Sequence, residues 1–99
     1  MTTITAQLTA LAPLLVASAN AVLEARRPVD RTRELRHLDG LADAAHALEL
    51  CPTPFALKLV ALDAVREAGT MPPATADNAP RRAWKAACVA AIMEATAAY

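Results

Sequence analysis

Aromatic residues are almost missing from this chain: Phe55, Trp84 and Tyr99 are the three in 99 residues. Glycine is scarcer still, with Gly40 and Gly69 alone. An all-β fold draws on aromatic and β-branched runs broken by glycine turns, so its ingredients are lacking. Two isolated glycines cannot build a phosphate-binding loop, and no Gly-x-Ser-x-Gly sets up a nucleophilic serine. Net charge is missing as well, because ten basic and ten acidic residues cancel. No global field therefore draws the chain to nucleic acid or anionic lipid. Cys51 and Cys88 show neither Cys-x-x-Cys spacing nor an activating neighbour. They read as reduced packing residues of a cytoplasmic protein.

The N-terminal region lacks something too. Its apolar run LTALAPLLVASANA ends in small residues, like the core of a secretory leader, but no Lys or Arg precedes Arg26. Without that basic start, cleavage and membrane insertion are not expected. Thr9, Ser18 and Asn20 interrupt the run, leaving it too short to span a bilayer.

What the chain has is helix-forming apolar residues. Hydrophobic residues make up 56% and charged ones 20%, a globular composition for one domain over 1–99. Alanine contributes most, favouring helix and close helix approach. The spacing predicts an all-α four-helix bundle, with helices over about 4–26, 31–50, 54–68 and 80–97.

The third helix organises the rest. In TPFALKLVALDAVREAG, Thr53 can cap the start, Pro54 suits the first helical position and Gly69 suits the residue past the end. Leu57, Val60, Ala61, Ala64 and Val65 form one apolar face, while Phe55, Leu59 and Leu62 lie on the other side among Lys58, Asp63 and Arg66. A helix apolar nearly all round belongs at the centre of a bundle or at an interface.

In the first helix, Ile4, Leu8, Leu11, Leu15, Ser18 and Val22 step by four and three along a packing seam. Pro13 removes a backbone donor there and predicts a kink near Thr9–Ala12 or a later start. Pro28 is expected to stop this helix and Asp30 to cap the second. The second then buries Leu35, Leu38, Leu41, Ala45 and Leu48 and ends at Pro52. After a long connection at 69–79, Asp77 or Asn78 can cap a fourth helix lined by Trp84, Cys88, Ile92 and Ala95.

Candidate sites follow from side chains left over. Arg81, Arg82 and Lys85 crowd the start of the fourth helix, where the dipole disfavours cations, with Trp84 beside them. That composition suits a protein-contact anchor, unless the cations pair with Asp77, Glu67 or Asp63. Arg26, Arg27, Arg31, Arg33 and Arg36 form a second basic cluster, partly neutralised by Glu24, Asp30 and Glu34. It is the alternative nucleic-acid surface, although no aromatic interleaves it. Glu34-x-x-His37 and Asp43-x-x-His46 have carboxylate-histidine spacing. Both lie on one helix, and di-iron bundles need such pairs from two. Solvated surface pairs are expected, and no metal or cofactor.

Phe55, Leu59, Leu62, Ile92 and Met93 exceed what so small a bundle needs, which predicts a homodimer contact. The alternative is a compact monomer that encloses them. Function is expected to be non-catalytic: an adaptor or inhibitor of the immunity, antitoxin or phage anti-defence kind, occupying a protein partner's surface. An accessory DNA- or RNA-binding protein and a metal-binding helical protein are the alternatives.

Overall fold

The computed structural model describes residues 3–50 and 53–97, with side chains from residue 6 onward. Among these residues the protein is an all-α bundle of four helices: α1 Thr3–Glu24, α2 Pro28–Ala47, α3 Pro54–Ala68 and α4 Ala79–Ala97. Each contributes one large side chain that is fully enclosed, namely Leu15, Leu38, Leu57 and Ile92. Burying a side chain of that size stabilises the fold by about 1.5–3 kcal/mol. Between them, Ala12, Ala19, Ala42, Ala45 and Ala61 are buried. Small residues at those positions let the helix axes approach closely.

The third helix touches all three others, as its apolar circumference predicts, and α1 does the same. Among the described residues α2 and α4 do not meet. They flank the central α1–α3 pair, which gives a plate of 38 × 32 × 19 Å.

Helix ends explain where sequence reading and structure part. α1 runs unbroken through Pro13. It is long and apolar enough over Ala6–Glu24 to cross a membrane, and 44% of that span is buried inside the bundle. Pro28 does not end α1 as a stop but opens α2, with Arg27 as the extended residue before it. Proline's preset φ and missing N–H suit that first position, where the donor has no partner anyway. Asp30 is consequently inside the first turn of α2 and not its cap. At the other end α2 stops at Ala47, three residues early. Glu49 turns left-handed at φ 61°, its N–H donates to the His46 carbonyl at 2.9 Å, and the Leu50 N–H reaches back to Ala45 at 2.9 Å. This is a Schellman closure with glutamate where glycine is usual, and buried Leu50 completes its apolar contact. Leu48, expected in the buried stripe, is left exposed past the helix end.

α3 has the predicted bounds. The Thr53 hydroxyl accepts from the Ala56 N–H at 3.1 Å, and Gly69, at φ 82°, closes the helix. At the start of α4 the Asp77 carboxylate accepts from the Ala79 N–H at 2.9 Å.

Candidate protein-docking surface

The sequence-predicted anchor on α4 is used up inside the molecule. Trp84 is buried, and its indole N–H donates to the Gly69 carbonyl at 3.0 Å. Arg81 donates from Nε to the Pro72 carbonyl at 2.8 Å. The first two turns of α4 thus tie down the long connection, and the Pro72 bond offsets the unfavourable dipole for Arg81. Arg82 and Lys85 are exposed. The four residues do not form one exposed anchor.

The expected dimer contact divides as well. Leu62 and Ile92 belong to the chain's own core, and Met93 is half-buried against it. Phe55 and Leu59 face solvent, 64% and 42% exposed. They are four residues apart on α3, hence neighbours on one face. Lys58 borders them. Its ammonium lies 2.8 Å from the Asp39 carboxylate on α2 and 5.7 Å from the centre of the Phe55 ring. The α2–α3 ion pair thereby holds a cation over the ring, an arrangement worth about 0.5–1 kcal/mol at an exposed site. No residue spacing announced this pairing, because Asp39 and Lys58 are nineteen positions apart.

At the α1–α2 corner, the arginines are largely occupied by one another's partners. Arg27 donates to both Asp30 oxygens at 2.8 and 3.3 Å, and Arg33 reaches Asp30 at 3.0 Å. The Arg27 hydrogen bond chiefly holds the Asp30 carboxyl below its ordinary range, with the Arg33 charge assisting. Arg31 donates to the Ala25 carbonyl at 3.2 Å, covering the end of α1. Arg26 and Arg36 are exposed, and Arg36 lines an open hollow of about 550 Å³ beside Val29 and Thr32. The corner is mainly a helix-junction brace.

His37 and His46 point outward, nine residues apart on α2. Among the described residues no three His, Cys, Asp or Glu side chains are grouped to hold a metal ion. Cys88 is fully buried, and burial pushes its thiol up; Cys51 lies outside the described residues.

A second concavity was not signalled by the sequence. A cleft of about 270 Å³ opens between the C-terminal ends of α1 and α3. Asn20, Glu24 and Arg66 line it with Leu23, Val65 and Thr70. No family model, curated protein or solved structure matches this chain. Fold and surface define an all-α bundle in which Phe55 and Leu59 share an exposed face of α3, while Leu14, Val29 and Leu48 are exposed elsewhere.

Proposed function

We propose that the protein is a non-catalytic helical interaction module, of the adaptor or inhibitor kind, whose working surface is the Phe55–Leu59 face of α3 and whose first occupant is a second copy of the chain. The observation carrying this reading is the exposure of the only phenylalanine together with Leu59, one helical turn away. A two-fold contact is self-complementary, and an antiparallel pairing of two α3 helices sets Phe55 against Leu59 of the partner subunit, twice.

The molecule has a large surface for its mass. The chain exposes 6182 Å². A folded monomer of 10.4 kDa is expected to expose roughly 5400 Å². Both the plate shape and the open 69–78 connection raise surface relative to mass.

Light scattering after gel filtration tests it. The wild type is expected to elute as a dimer, and the double variant Phe55→Ser, Leu59→Ser as a monomer with unchanged far-ultraviolet circular dichroism. A wild type that remains monomeric at the highest soluble concentration overturns the proposal.

A further inference from the structure

The cleft between α1 and α3 lies at the opposite end of α3 from Phe55, and it holds a polar side chain with no protein partner among the described residues. Asn20 is only 9% exposed, yet its side-chain amide makes no hydrogen bond among the described residues. Its oxygen and nitrogen are not sealed off, since Asn20 lines the cleft wall. Those atoms are open to the cleft, so a donor that enters it can bond the amide oxygen in place of water.

The electrostatics select which group. α1 ends at Glu24 and α3 at Ala68, and both C-terminal ends meet at this cleft. A helix C-terminus carries about half a negative charge on its last carbonyls. The Glu24 carboxylate adds a full one and has no ion pair among the described residues. Two cations oppose them: Arg66 is turned to Asp63 at 3.5 Å, and Arg31, on the Ala25 carbonyl at 3.2 Å, offsets the α1 end, which leaves Glu24 and the α3 end uncompensated. The balance is negative, which repels anions and favours a cation with N–H donors. Leu23 and Val65 supply an apolar wall, so the cation should carry a short aliphatic stem. At about 270 Å³ the space is just below that of ordinary small-molecule pockets, enough for one side chain or a small amine.

We infer that the α1–α3 cleft is a binding site for a primary alkylammonium group, accepted by the Asn20 amide oxygen and the Glu24 carboxylate with its stem against Leu23 and Val65. That chemistry is shared by a free aliphatic amine and by a lysine side chain of another protein. The site is independent of the Phe55–Leu59 contact.

The test is a nuclear magnetic resonance titration of the full chain with n-butylammonium chloride, with sodium chloride and n-butanol as controls. Saturable shifts are expected at the Asn20 side-chain amide and the Gly69 and Thr70 backbone amides, with butylammonium only. Affinity should fall by about tenfold or more in Asn20→Leu. Glu24→Gln, at an exposed position that does not threaten folding, should weaken butylammonium as well. Comparing a free aliphatic diamine with an Nα-acetyl-lysine amide then distinguishes the two sources, the tighter binder naming the natural one. Shifts that never saturate, that sodium chloride or butanol reproduces, or that persist undiminished in Glu24→Gln overturn the inference.

Discussion

Single residues show most directly where the fold gives up stability. Ser18 is buried on α1, and its hydroxyl has no hydrogen-bond partner among the described residues. An unpaired buried hydroxyl costs about 1–3 kcal/mol, so Ser18→Ala is expected to raise stability by about 1 kcal/mol or more in urea unfolding. Glu49 occupies a left-handed backbone position that only glycine adopts without a steric penalty. Glu49→Gly should raise stability by about 1 kcal/mol, read as a higher melting temperature. Asp30 connects residue chemistry to pH. Its folded carboxyl titrates below the ordinary value, so the charged form contributes stability that is present above the unfolded pKa and lost as pH falls through the folded one. Asp30→Asn should therefore melt lower than the wild type at neutral pH, and the gap should close in acid below the carboxylate range. The Schellman closure was hidden in the sequence because its left-handed position carries glutamate. The Thr53 and Gly69 signals were legible because each has the residue its geometry prefers.

At the scale of elements, periodicity identified four helices, and their order and approximate lengths follow from local signals. α3 was read to the residue, since cap, first-turn proline and terminal glycine all agree. Both ends of α2 differ from the expected 31–50 for local reasons. A proline can end one helix or begin the next, and only the backbone of Arg27, extended at ψ 141°, decides which. The candidate sites were less legible than the helices. Trp84 looked available because its partner, the Gly69 carbonyl, is fifteen residues away in a connection without periodic structure. Phe55 and Leu62 are two turns apart and differ by only about 20° on a helical wheel, yet one is outside and the other inside. No wheel resolves that boundary, because it depends on where the neighbouring helices end.

At the scale of the molecule, the α1–α3 pair forms the spine, and among the described residues α2 and α4 flank it without meeting. This arrangement leaves part of α3 uncovered even though α3 contacts every other helix. Association through that part couples stability to concentration. The melting temperature should rise as protein concentration is raised, and the dependence should vanish in the Phe55→Ser, Leu59→Ser variant; a melting temperature independent of concentration in the wild type counts against the dimer.

Composition and spacing by themselves determined that this chain is helical, that it has four helices, and which stripe of each is apolar, because these depend on backbone propensity and on contacts within a few residues. Tertiary packing alone decided which apolar side chains find cover: Leu62 and Ile92 do, Phe55 and Leu59 do not. It also set Lys58 beside Asp39 and left the Asn20 amide without a protein partner, among the described residues, on the wall of a cleft. Those outcomes depend on where separate helices meet, a distance relation that no local pattern along the chain contains.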